Sequence, residues 1–128
     1  MIAKHVPMKS IKKSDFDALV SYISDDQEKN ERVEYTSVTN CQSEDLTAAI
    51  IEITAVQGMN TRAESDKTYH LILSFREGER PSNEVLKEIE RSICEGLGYG
   101  EHQRVSAVHC DTDNLHMHIA INKIHPIR

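Results

Sequence analysis

The sequence predicts an α+β, two-layer domain: a mainly antiparallel central sheet of about five strands with helices packed on one face. Three observations predict it. Apolar spacing switches between a period of 2 and a period of 3.6 in the order β-α-β-α-β-α-β-β. The last two strands, "QRVSAVHC" and "LHMHIAIN", are separated only by "DTDN", so they must form an antiparallel hairpin. The chain has 128 residues, 38% of them apolar, which suffices for one core and not for two. A single domain over 1–128 is therefore expected, one sheet against one set of helices.

The elements follow in order. "IAKHVPM" alternates weakly and reads as a first strand, with Pro7 marking an edge or a strand end. Ser14 with Asp17 resembles a capping box with Asp in place of Glu or Gln. Phe16, Leu19, Val20 and Ile23 recur at helical spacing, which predicts a first helix over about 15–24. "DDQEKNE" is a polar loop, and the β-branched, alternating "RVEYTSVTN" is a strand. Ser43, Glu44 and Asp45 open a second helix with an inner stripe of Leu46, Ala49, Ile50, Ile53 and Val56, closed by Gly58. After the polar "NTRAESDKT" comes the strand "YHLILSF", then turn chemistry in "REGERPSN". Pro81 and Ser82 lead into a third helix, with Val85, Leu86, Ile89 and Ile93 expected inward, and "GLGYG" ends it. No internal repeat or low-complexity segment is present.

Composition excludes several classes. With 28% charged residues and no tryptophan the chain has the profile of a globular domain, not a disordered tail. No apolar run approaches the roughly 18 residues of a membrane span. The start, "MIAKHVPMKSIKK", has no apolar stretch long enough for a signal peptide, so a cytoplasmic protein with no membrane partner is expected. Cys41, Cys94 and Cys110 are odd in number and widely spaced, which predicts reduced, partly buried thiols. Net charge is −6, yet Lys4, Lys9, Lys12 and Lys13 stand in the first 13 residues with no acid among them. Arg104, Lys123 and Arg128 oppose only Asp111 and Asp113 beyond His102. Such asymmetry permits a local phosphate-binding face.

The hairpin "HCDTDNLHMHIAIN" holds the densest chemistry. With "DTDN" as the turn, Cys110 lies opposite Leu115 and His109 opposite His116, and His118 shares the face of His116. Leu115, Met117, Ile119 and Ile121 point to the other side. Three convergent imidazoles suit a borderline divalent cation and leave positions open for water or substrate. Asp111 is placed to accept a hydrogen bond from a ligand histidine or a proton from a nucleophile. The alternative is a set of strand histidines that hold no metal, and three on one face beside an acid weigh against it. His125 falls beyond the alternation. His5, His70 and His102 read as structural or surface residues, although His70 alternates with Ile72 and Ser74 and would border the patch.

These residues resemble a known family. "HCDTDNLHMHIAIN" is similar to the third motif, HxDxxxxHxH followed by Asn, of MOB-P class conjugative relaxases such as those of IncP-type plasmids. "MIAKHVPMKSIKKSDFDALVSYISD" resembles their first motif, which carries a tyrosine, and "YHLILSF", ending at Ser74, resembles the second. The resemblance covers essentially the whole chain and implies an HUH-endonuclease-like fold. It implies strand-specific nicking and rejoining at a plasmid origin of transfer through a 5′-phosphotyrosyl intermediate. Carried over residue by residue, Tyr22 is the nucleophile, and His109, His116 and His118 hold Mg²⁺ or Mn²⁺. Asp111 orients His116 or assists deprotonation, and Ser14 and Ser74 support activity or DNA contact. Lys4, Lys9, Lys12, Lys13, Arg104 and Lys123 are candidate phosphate contacts. The implied partners are single-stranded DNA at the origin of transfer, accessory relaxosome proteins and the coupling protein of a type IV secretion system, in a bacterial cytoplasm. The resemblance also implies that 1–128 is an N-terminal domain truncated at its C-terminus.

Position alone would make Tyr22 half-buried packing, because it lies about 110° from the centre of its helix's apolar stripe. A rolling-circle replication initiator shares the chemistry, but such proteins place the tyrosine after the histidines. A non-catalytic DNA-binding or relaxosome-assembly module is the alternative of another class.

Overall fold

The computed structural model describes residues 1–6, 16–24, 32–59, 67–110 and 114–127, without the side chains of Tyr22, Ser24, Arg32 and Glu34. The elements are β1 (Ile2–Val6), α1 (Phe16–Ser24), β2 (Arg32–Thr39), α2 (Leu46–Met59), β3 (Thr68–Ser74), α3 (Asn83–Gly96), β4 (Arg104–Cys110) and β5 (Leu115–Asn122). The sheet runs β1-β3-β5-β4-β2, and every neighbouring pair is antiparallel. The α+β class, the five strands and the β4–β5 register are as expected, with His109 facing His116 and Cys110 facing Leu115.

The placement of the helices is not as expected. α1 and α2 pack on one face, where Phe16, Leu19, Val20, Ile23 and Ile53 cluster with Val105, Ala107 and Ala120. α3 covers the other, its Leu86 and Cys94 clustering with Leu71, Leu73, Val108, Met117, Ile119 and Ile121. The fold therefore has three layers. The cause lies in β4 and β5: Val105, Ala107 and Ala120 make the histidine side of these inner strands apolar too. A sheet apolar on both faces needs cover on both. β5 is the middle strand, and all its residues but His116 are buried.

Each helix has a local cause. In α1 the expected stripe is the buried one: Phe16, Leu19, Val20 and Ile23 are all inside. α2 starts where the Asp45 carboxylate accepts the Ala48 N–H at 3.0 Å. α3 is capped by Ser82, whose Oγ accepts from the Val85 N–H at 3.3 Å. It ends in a Schellman arrangement, Tyr99 N–H to Cys94 O at 2.8 Å and Gly98 N–H to Glu95 O at 3.0 Å. Gly98 sits at φ +88, where a side chain would be strained. The buried stripe of α3 is Leu86, Glu90 and Cys94, with Ile89 and Ile93 partly buried. Val85, expected inward, is 47% exposed. No helix among the described residues is long and apolar enough to cross a membrane. All three cysteines are thiols, with Cys94 buried and Cys41 and Cys110 half-buried.

Candidate active site

The strand registers assemble the site row by row. One row across the sheet is Ile2, Ser74, His116 and His109. The next is Lys4, Ile72, His118 and Ala107, and the one below that is Val6, His70, Ala120 and Val105. Directly opposed residues share a face. One face therefore carries Lys4, His70, Ser74 and all three hairpin histidines.

The rings are close. The centroids of His109 and His118 are 4.4 Å apart, and those of His118 and His70 are 5.3 Å apart. His70 Nε2 lies 3.1 Å from His118 Nδ1. His70, which sequence alone made a border residue at most, thus joins the cluster. His109 is fully buried and His118 is 9% exposed, because α1 lies over β4 and β5. His116 is half-buried beside the half-buried Ser74. Toward β1 the face opens, and Ile2 and Lys4 are exposed. On the other side β2 carries a bulge between Val33 and Tyr35, next to His109. Bulges of this kind re-aim side chains beside functional sites.

α1 meets this cluster at its C-terminal end. The backbone carbonyl of Ile23 is bonded to His109 Nε2. A carbonyl oxygen only accepts, so Nε2 carries the proton and Nδ1 the lone pair. Tyr22 is the residue immediately before Ile23, so the last turn of α1 brings its backbone to the histidines. The Tyr22 side chain, Asp111, Ser14, Lys9, Lys12 and Lys13 lie outside the described residues.

Among the described residues no group of three His, Cys, Asp or Glu side chains is arranged to hold a metal ion. The donor chemistry of His109, His116 and His118 nonetheless fits a divalent cation. All are imidazoles on one face, and two of them already have one ring nitrogen engaged, by Ile23 and by His70. Engaging one nitrogen fixes which is left to bind a metal.

Arg104 departs from expectation. It is 1% exposed, on the face opposite the histidines, with Nε 2.6 Å from Glu90 Oε2. Its guanidinium therefore serves the α3 interface and offers no phosphate contact. Glu90 also accepts from Ser106 Oγ at 2.6 Å, and Lys87 approaches it at 3.9 Å. Lys123 is half-buried just past β5, its backbone N–H donating to Lys67 O at 2.8 Å. His125 pairs with Glu101 at 2.9 Å and stands apart from the cluster.

A second buried polar group escaped the sequence reading. Asn122 Oδ1 accepts from Gln57 Nε2 at 3.3 Å and from the Ile124 N–H at 2.9 Å, while its Nδ2 donates to Gln103 Oε1 at 3.2 Å. This clasp ties the end of α2 to the end of β5. Position was the available signal: Gln57 stands four residues after Ile53, and Glu90 four after Leu86, both on buried stripes.

Comparison with known proteins identifies the family. The family model described as "Relaxase: MobA/VirD2-like, nuclease domain" matches residues 22–128. Two Escherichia coli proteins named TraI are 65% and 62% identical over all 128 residues. A MobA protein of Acidithiobacillus ferrooxidans is 48% identical over 61 residues, 48% of this chain and 15% of its own length. The chain spans 18% and 17% of the length of the two TraI proteins. No solved structure matches.

Proposed function

The chain belongs to the relaxase family as a MobA/VirD2-like nuclease domain, and from that premise we propose that it nicks and rejoins one DNA strand at a plasmid origin of transfer. The observation that carries the reading is the Ile23 carbonyl on His109: it brings the segment holding Tyr22 to the histidine face. In the proposed reaction the Tyr22 hydroxyl attacks the scissile phosphorus. The bond to the 3′ oxygen breaks, a free 3′ hydroxyl leaves, and a 5′-phosphotyrosyl bond forms. Reversal by the 3′ hydroxyl rejoins the strand, because the ester keeps the bond energy.

A tyrosine hydroxyl, with an ordinary pKa of about 10, is a poor nucleophile at neutral pH and needs a base or a positive field. Asp111 is the proposed acceptor of its proton, or the group that orients His116. His109, His116 and His118 are the proposed ligands of Mg²⁺ or Mn²⁺, which when bound supplies polarisation of the phosphate and neutralisation of its growing charge. Imidazole is a softer donor than Mg²⁺ prefers, which favours Mn²⁺ in vitro. Ser74 stands beside His116, and Lys4 lies on the open part of the same face, about 10 Å from the central strand. Both are proposed to contact the DNA strand, with Ser14, Lys9, Lys12, Lys13 and Lys123 added from the motif resemblance. The same resemblance supports accessory relaxosome proteins and a type IV coupling protein as partners, an IncP-type origin, and action in the bacterial cytoplasm.

The test is a denaturing gel of the chain incubated with Mn²⁺ and a single-stranded oligonucleotide carrying the origin of the plasmid that encodes it. The expected result is a covalent adduct with the wild-type chain and none with Tyr22→Phe. An adduct that persists in Tyr22→Phe rejects the nucleophile. No adduct from the wild type favours a non-catalytic DNA-binding module.

A further inference from the structure

Register and spacing explain why His70 meets His118. On β3 it lies opposite Ala120, one diagonal step from His118, and the small alanine leaves the ring room to lean across. The two rings are inclined by 26°, and His70 Nε2 is 3.1 Å from His118 Nδ1, within hydrogen-bond range. His70 is 5% exposed and His118 9%, so water competes little for this contact. On its other side His118 meets the His109 ring at 4.4 Å. The imidazole of His118 is thus held between two others.

Two neutral imidazoles bond only when one donates and the other accepts. If His70 Nε2–H donated to His118 Nδ1, the proton of His118 would sit on Nε2, and neither nitrogen of His118 would offer a lone pair to a metal. If His118 Nδ1–H donates to His70 Nε2, the lone pair of His118 lies on Nε2. Only the second pattern lets His118 act as a ligand. Histidine ligands commonly donate their other ring N–H to a carboxylate, a carbonyl or water. Here a second imidazole takes that place.

We infer that His70 is a positioning residue for His118: by accepting the Nδ1 proton it fixes the ring's tautomer and orientation and presents Nε2 to a divalent cation. The inference rests on the nuclease reading of the histidine face. It assigns His70 no contact with DNA or with the reacting atoms.

Two measurements on the chain test it. Imidazole ¹⁵N shifts of the metal-free wild type should show His118 protonated on Nδ1. Titration with Mn²⁺ should show His70→Phe binding about 10- to 100-fold more weakly, with His118 shifted toward the Nε2 proton. His70→Gln, which keeps an acceptor oxygen, should recover most of the affinity. His118 protonated on Nε2 in the wild type, or His70→Phe with unchanged tautomer and affinity, overturns the inference. The wild-type tautomer needs no variant, so failure of His70→Phe to fold does not remove the test. A wild type that binds no Mn²⁺ contradicts the metal site of the nuclease reading, and the tautomer then decides on His70 separately.

Discussion

Glu90 sits with no exposure between Arg104, Ser106 and Lys87, inside the α3 interface. Its two oxygens are matched to donors, so the pair with Arg104 is tolerated in the core. Removing one partner leaves the other charge buried and uncompensated, which costs about 3–5 kcal/mol. Glu90→Ala should therefore lower the unfolding free energy, read from urea titration, by that amount, whereas Glu90→Leu combined with Arg104→Met should recover most of the loss. A single variant as stable as the wild type would show that the pair carries no such weight. His116 poses the opposite case. It is half-buried at the open end of the cluster, so His116→Ala should leave the melting temperature within a few degrees and abolish adduct formation. A variant that unfolds instead would make His116 structural.

At the scale of elements, α1 carries both packing and placement. Ile23 is fully buried, and its carbonyl is bonded to His109. Ile23→Ala should destabilise by about 2–5 kcal/mol and let the last turn of α1 shift. Adduct formation, measured where the variant is still folded, should fall as well. Retained activity would mean that the position of α1 does not limit the reaction. Removing a cap is milder: Ser82→Ala should cost about 0.5–2 kcal/mol, read from thermal melts. The β4–β5 hairpin was legible because strict alternation and only four intervening residues leave one register. The stripe of α1 was legible because all four of its inner residues are apolar. α3 was misread at Val85, Glu90 and Cys94, since an acid on the inner stripe conceals the period. Arg104 was misread with it, because the partner that buries Arg104 stands 14 residues away in sequence.

In the whole molecule the sheet is covered on both sides. The histidines hid this by making one side of β5 read as polar, although α1 and α2 lie over it. The site is thus half roofed: His109 is under α1, and His116, Ser74 and Lys4 lie toward the open β1 edge. The role proposed for Tyr22 rests on resemblance to a motif, because packing physics alone assigns it to the rim of α1. Burial has a global consequence through the thiols. It pushes Cys94 up to about 11, and burial followed by the nearby Glu52 carboxylate pushes Cys41 up to about 11. A thiol raised in the folded state contributes stability that is fully present below its ordinary pKa of about 8.5. That contribution is lost as pH rises through the folded value. The urea midpoint should therefore drop between pH 8.5 and 11, and a Cys94→Ala, Cys41→Ala double variant should flatten that part of the profile. An unchanged slope in the double variant would assign the loss to other groups.

We propose that α1 brings Tyr22 to the histidine face as the nucleophile. The most direct measurement is proteolysis and mass spectrometry of the covalent adduct formed with origin single strand and Mn²⁺. The nucleotide is expected on the peptide containing Tyr22. Mapping to Tyr35, Tyr69 or Tyr99 would contradict it.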